Sequence, residues 1–146
     1  MDFNELCLGC RTYRRFEQKE IPEEILTELL ENARVANSVM NGQVLRYVLV
    51  KSQETVKKLQ PYFHFATALP KELGQPKEGE QPTAFIILCT EGRESPWTDM
   101  DIGIAVRTMN LNAYNHGVGS CILGNVEFES GSSLMKHPDA LYEVCA

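Results

Sequence analysis

Between residues 102 and 118 the chain carries one formal charge, Arg107, although charged residues make up 23% of its 146 positions. Ile102, Ala105, Val106, Met109 and Ala113 recur at helical spacing, while Ile104 and Leu111 fall on other sides of the same helix. A helix that is apolar on more than one side is expected to be buried on more than one side. Asn110, Asn112 and Asn115 make it too polar to span a bilayer. Two caps are available at its start: Thr98 with Asp101 has capping-box spacing, and Ser95-Pro96 offers an earlier one. His116 in the last turn and Gly117 as a left-handed cap mark its end. The chain then runs Val118-Gly119-Ser120-Cys121-Ile122-Leu123-Gly124, short, apolar and rich in small residues. The pattern predicts a central helix feeding a strand whose backbone something else approaches closely.

A chain of this length forms one domain and buries roughly two thirds of its unfolded surface. Its net charge of −6 argues against a nucleic-acid phosphate backbone as the main partner. No apolar run reaches membrane-span length, and the acidic start Met1-Asp2-Phe3-Asn4-Glu5 is unlike a signal peptide. Five cysteines, an odd number mostly in apolar surroundings, fit reduced thiols in a cytoplasm better than a disulfide framework. These features predict a soluble domain of mixed α and β structure.

Residues 3–10 read as a short helix with Phe3, Leu6 and Cys7 on one packing face. Its Cys7-Leu8-Gly9-Cys10 has no second pair or nearby histidine, so ordinary thiols are expected rather than a metal site. Arg11-Thr12-Tyr13-Arg14-Arg15-Phe16 comes next, concentrating basic residues in an acidic chain. Guanidinium forks suit phosphate or carboxylate oxygens. The alternative is a solvated turn whose arginines pair loosely with Glu17, Glu20 or Glu23.

Residues 22–36 form the clearest amphipathic helix, with Pro22 in the first helical position and Ile25, Leu26, Leu29, Leu30 and Ala33 as its stripe. Ser38-Val39-Met40-Asn41-Gly42-Gln43 is an amide-bearing loop leading into a strand over 44–50. Its side chains match the alternating donors and acceptors on the edge of a planar heterocycle, and equally match ordinary turn chemistry. A short helix over 54–60 precedes His64, which reads as a partly buried, satisfied histidine. Residues 69–83, rich in Pro, Gly and charge, read as a lid or mobile loop. The continuously apolar 84–89 is expected to be an interior strand covered on both faces. Residues 125–137 read as a turn and weak helix, and 140–145 as a strand. An apolar strand at the chain's end suggests a shortened protein.

Several familiar sites are absent from the sequence. Gly117-Val118-Gly119 follows a helix and lacks the third glycine of a dinucleotide fingerprint. There is no P-loop, HExxH or GxSxG, and the histidines at 64, 116 and 137 share no metal-ligand spacing. An arginine turn and an amide loop without an evident catalytic side chain point to a bound cofactor that carries the chemistry.

In their order and spacing these segments resemble the FMN-dependent nitroreductases. Residues 11–16 look like that family's phosphate motif, with Thr12 where serine is usual, and Ile21-Pro22-Glu23-Glu24 matches the family's next segment. Residues 38–43 resemble its Ser, Asn and Gln loop, and 101–105 through 117–124 its central helix and flavin-side strand. Cys10 stands where another arginine is usual, and Val44-Leu45 replaces a common Pro-Trp. The family also continues past the last predicted strand, and that part normally embraces the partner and adds basic residues to the phosphate site. Losing one charge-assisted hydrogen bond of this kind weakens binding by about ten- to a hundredfold.

The resemblance implies an α+β sandwich: a mixed, mainly antiparallel sheet flanked by helices, with the 101–117 helix central. It implies a homodimer with FMN at the interface, and two-electron transfer from NADH or NADPH to an electron-poor acceptor such as a nitroaromatic or quinone. Arg11, Thr12, Arg14 and Arg15 would serve the phosphate. Ser38, Asn41 and Gln43 would contact the ribityl chain and ring edge, and the backbone at Ile122, Leu123 and Gly124 the reduced flavin. No side chain is assigned as catalytic acid. A flavin-binding or interaction protein without turnover is the alternative.

Overall fold

A computed structural model describes residues 2–66, 68–90, 95–124 and 142–145. Helix α1 spans Phe3–Gly9 and is closed at its start by Asp2, which accepts the Glu5 amide at 2.9 Å while the Glu5 carboxylate accepts the Asp2 amide at 2.8 Å. This capping box satisfies two of the helix's orphan donors. Helix α2, Glu23–Val35, begins after Pro22, which is its N-cap and not, as expected, its first helical residue. Strand β1 is Leu45–Val50, and α3, Gln53–Leu59, runs into a 3-10 turn at Gln60–Tyr62. The one-turn α4, Lys71–Gly74, precedes strand β2, Phe85–Thr90. Helix α5 spans Thr98–Asn115, and after it come β3, Cys121–Leu123, and β4, Tyr142–Cys145. The expected turn and helix over 125–137 lie outside the described residues.

The sheet order is β1-β2-β4-β3 with every ladder antiparallel, and one parallel bridge joins Thr12 to Ser120. The α+β sandwich expected from the sequence is therefore present. In β2, alternate residues face opposite layers. Ile86 and Leu88 pack with Leu29 and Ala33 of α2 and with Ile102, Ala105, Val106, Met109 and Ala113 of α5. Phe85 and Ile87 face the second layer, with Val56 and Leu59 of α3, Phe63, Phe65, Cys121 and Leu123. That two-sided burial is why the run is continuously apolar.

Neither candidate cap closes α5: its N-cap is Trp97, with no side-chain cap hydrogen bond, and Ser95 forms the turn just before it. Ser95 Oγ accepts the Trp97 amide at 3.2 Å, and Thr98 Oγ1 accepts the Ser95 amide at 2.9 Å. The Thr98–Asp101 box does not form, because the Asp101 carboxylate is drawn to another segment. At the other end Gly117, at φ 74°, closes a Schellman turn, with the Val118 amide on Ala113 O at 2.9 Å.

Only one side of α5 is buried within the chain, contrary to the expectation of burial on several sides. Met100, Ile104 and Leu111 of its second apolar side join Phe3 and Leu6 of α1 along an open groove of about 760 Å³. Residues 69–83 are not structureless either: they contain α4 and bond the 15–19 region through Glu72, Glu80, Gln81 and Thr83. Among the described residues no helix is long and apolar enough to cross a membrane.

Candidate functional site

The arginine turn is fixed by its backbone and by one buried polar cluster. Cys10 ends α1 in extended conformation and is itself buried. Its thiol donates to Asn110 Oδ1 at 3.0 Å, Asn110 Nδ2 donates to Ser120 Oγ at 2.6 Å, and Arg107 Nη1 donates to Asn110 Oδ1 at 2.7 Å. Beyond it the Tyr13 amide donates to Ser120 O at 3.0 Å. The Tyr13 ring then lies on Gly119, where a Cβ would stand 2.9 Å from Tyr13 Cγ. The close approach expected at this glycine-flanked strand is thus made, at Gly119, by the chain's own Tyr13. Phe16 completes the anchoring, its amide donating to Glu80 O at 2.9 Å.

The arginines do not pair with the neighbouring acids. Glu17 pairs with Lys19 and Glu23 with Lys51. Arg15 instead reaches Glu80 at 3.0 Å and the Glu72 carbonyl at 3.4 Å, bracing the turn against residues 72–80. Among the described residues Arg11 and Arg14 meet no carboxylate: Arg11 donates to Cys10 O at 2.9 Å and Arg14 Nε to Phe65 O at 3.1 Å. Thr12 is exposed beside them. Burial pushes the Cys121 thiol up to about 11, and the Arg14 charge pulls in the other direction.

Strand β3 is an edge of the sheet. Along its side away from β4 the described residues supply a single bridge, Thr12 to Ser120, immediately before Ile122, Leu123 and Gly124. Ile122 is exposed, Leu123 buried and Gly124 exposed. The structure therefore brings Arg11, Thr12, Arg14 and the β3 backbone together.

The amide loop forms a second cluster. Ser38 Oγ donates to Asp101 Oδ2 at 3.1 Å and accepts the Gln43 amide at 2.9 Å, while the Val39 amide donates to Asp101 Oδ1 at 2.8 Å. Asn41 and Gln43 are exposed. Ser38, Gln43, Arg46, Tyr47 and Asp101 line a cleft of about 360 Å³. Burial, and then the charge of Asp101, raise the Tyr47 pKa above its ordinary value. Asp101 is the residue that sequence reasoning assigned elsewhere. Its signal was available: it falls four residues before Ala105, on the buried side of the helix, where a carboxylate needs donors.

The two clusters are anchored at different points of α5. Asp101 holds the amide loop and Asn110 holds the arginine turn, nine residues further along α5, or roughly 13 Å at 1.5 Å per residue.

These elements define the class of α+β sandwiches built around a central helix, here with an arginine turn set beside an edge strand. Consistent with that class, a model of the Nitroreductase family matches residues 9–145, and the chain belongs to that family. It is 26% identical over 127 residues to a protein of Methanothermobacter thermautotrophicus provisionally named an NADH dehydrogenase/NAD(P)H nitroreductase, covering 85% of this chain and 61% of that one. The chain spans about three-fifths of the length of the curated relatives it matches. Among solved structures it resembles a nitroreductase family protein of Clostridium novyi, with a TM-score of 0.78 at 19% identity, over 99% of this chain and 83% of that one. It also resembles a Bacteroides fragilis nitroreductase with bound FMN, with a TM-score of 0.74 at 20% identity, over 99% and 87%.

Proposed function

We propose that the protein is an FMN-dependent oxidoreductase that passes two electrons from NADH or NADPH to an electron-poor acceptor such as a nitroaromatic or quinone. In this reading it acts as a cytoplasmic homodimer. The observation that carries the proposal is the pairing of Arg11 and Arg14, engaged among the described residues only with carbonyl oxygens, with an edge strand beside them. Charge-assisted donors beside the backbone of an edge strand fit a phosphate joined to a planar, hydrogen-bonding ring. Relatives named for NAD(P)H and a fold neighbour containing FMN support the same reading.

A second subunit resolves the separation of roughly 13 Å along α5. The arginine turn and β3 of one protomer face the 38–43 loop of its partner, so each dimer has two sites. The open apolar side of α5, with Met100, Ile104 and Leu111, supplies a surface for that partner.

Arg11, Thr12 and Arg14 hold the phosphate; Arg15 keeps the turn in place through Glu80. Ser38, Asn41 and Gln43 of the partner loop hydrogen-bond the ribityl chain and ring edge. The backbone at Ile122, Leu123 and Gly124 would offer hydrogen-bond donors to the ring when FMN is bound. When bound, FMN supplies the two-electron chemistry. The chain's task is to orient it and leave one face open, where donor and acceptor bind in turn, giving ping-pong kinetics.

The test is spectroscopic. Protein reconstituted with FMN should retain flavin absorbance after desalting, bleach with NADH or NADPH, and reoxidise on adding a nitroaromatic. Flavin retention without bleaching would leave a non-catalytic flavin-binding protein. A colourless protein that FMN does not protect from thermal unfolding would contradict both.

A further inference from the structure

The 38–43 loop holds an unfavourable backbone. Met40, Asn41 and Gln43 have φ of 53°, 53° and 46°, three non-glycine residues in the left-handed region within four positions. That region is unfavourable for residues other than glycine, least so for asparagine. No packing explains why the chain accepts this, since the Met40 side chain is 90% exposed. Hydrogen bonds hold the loop instead. Within it, the Asn41 amide donates to Ser38 O and the Gly42 amide to Val39 O, both at 3.0 Å. On the β1 side, Arg46 Nη1 donates to Gln43 O at 3.0 Å. From α5, Asp101 takes the Val39 amide with one carboxylate oxygen and the Ser38 hydroxyl with the other, and Ser38 Oγ then takes the Gln43 amide.

We propose that Asp101 is a positioning residue: a buried carboxylate on the central helix that clamps the strained loop in the conformation that presents Asn41 and Gln43 to the flavin. The proposal rests on the flavin reading above. Strain of this kind persists only where the surroundings over-determine it, and it clusters at ligand sites. Asp101 is 5% exposed, and each of its carboxylate oxygens accepts one donor from the loop. Without it, Val39 and Gln43 lose the chain of bonds that ties them to α5. The loop then relaxes toward ordinary φ, turning Asn41 and Gln43 away from the cofactor.

The experiment combines amide hydrogen exchange without ligand and FMN titration. In Asp101→Ala, exchange at the Val39 and Gln43 amides should accelerate about tenfold or more while Ile86 and Leu88 keep their rates. FMN binding should weaken about tenfold or more. Asp101→Asn keeps one acceptor oxygen and should lose less on both measures; it also serves if the alanine variant fails to fold. Met40→Gly added to Asp101→Ala should recover part of the FMN affinity, because glycine adopts the left-handed conformation without strain. A merely structural loss would not be rescued at that exposed position. Unchanged exchange in both Asp101 variants overturns the clamp. Accelerated exchange with unchanged FMN affinity overturns its role toward the ligand. If the wild-type chain itself does not bind FMN, the flavin reading fails and that role with it, while the exchange rates still decide the clamp.

Discussion

The Cys10 thiol donates a 3.0 Å hydrogen bond to Asn110 Oδ1 inside the protein, across one hundred residues of chain. Through Asn110 Nδ2 and Ser120 Oγ the same amide reaches the start of β3, so one side chain sets the arginine turn against the strand beside it. Cys10 stands where the family resemblance leads one to expect another arginine. In this chain that position anchors the turn and leaves Arg11 and Arg14 to meet a ligand.

Asn110→Ala should therefore destabilise the fold by about 2–4 kcal/mol, because it strands more than one polar partner and each buried unpaired group costs about 1–3 kcal/mol. Cys10→Ala removes a weak donor and should cost about 1–2 kcal/mol. Urea unfolding of the two variants measures the difference. Equal losses would mean that the thiol, rather than the amide, is the centre of the cluster.

At Gly119 the constraint is steric. Gly119→Ala would place a methyl 2.9 Å from Tyr13 Cγ and should cost about 1–3 kcal/mol. Tyr13→Ala in the same chain should abolish most of that penalty. A double-mutant cycle in urea that shows simple additivity would contradict the contact.

The architecture was largely legible in the sequence. The apolar run at 84–89 announced a strand covered on both faces, and Gly117 announced the end of α5. The site was only half legible. The residue types in the arginine turn and amide loop marked candidate contacts, but spacing along a chain says nothing of the roughly 13 Å that separates them on α5. Asp101 was misread because a carboxylate three residues after a threonine at a helix start fits a cap, and only tertiary contact revealed Ser38 and Val39 as its partners. The second side of α5 was read as buried because periodicity registers apolar character and cannot tell a core from a surface awaiting a partner.

That open side carries its own prediction. Ile104→Glu places a charge in the proposed subunit interface, on the groove side of α5 that its own core leaves uncovered. It should convert a dimer to a monomer in light scattering and lower FMN affinity by about a hundredfold or more, since a desolvated charge costs several kcal/mol. A variant that stays dimeric with unchanged FMN affinity would place the interface elsewhere.

Cys121 supplies a pH dependence with a definite sign. Burial raises its pKa to about 11, with the Arg14 charge opposing. The folded protein thus keeps the thiol proton to higher pH than the unfolded chain, whose reference value is 9.0. This contribution to stability is complete below about pH 9 and is lost as the pH rises toward 11. Urea midpoints from pH 8 to 10.5 should fall more steeply for the wild type than for Cys121→Ala. Alkylation of Cys121 at pH 8 should also be about a hundredfold slower than that of a free cysteine. Parallel pH profiles would remove Cys121 as the source.

Each flavin site is proposed to take its arginine turn from one protomer and its amide loop from the other, and subunit complementation tests this most directly. Arg14→Ala protomers and Asn41→Ala/Gln43→Ala protomers, carrying different tags, are assembled into heterodimers and titrated with FMN. A shared site leaves one intact pairing in each heterodimer, so one FMN per heterodimer should bind with wild-type affinity, although neither parent homodimer does. If the heterodimer binds FMN no better than its parents, the two segments do not serve one site across the interface, and the shared flavin site does not exist.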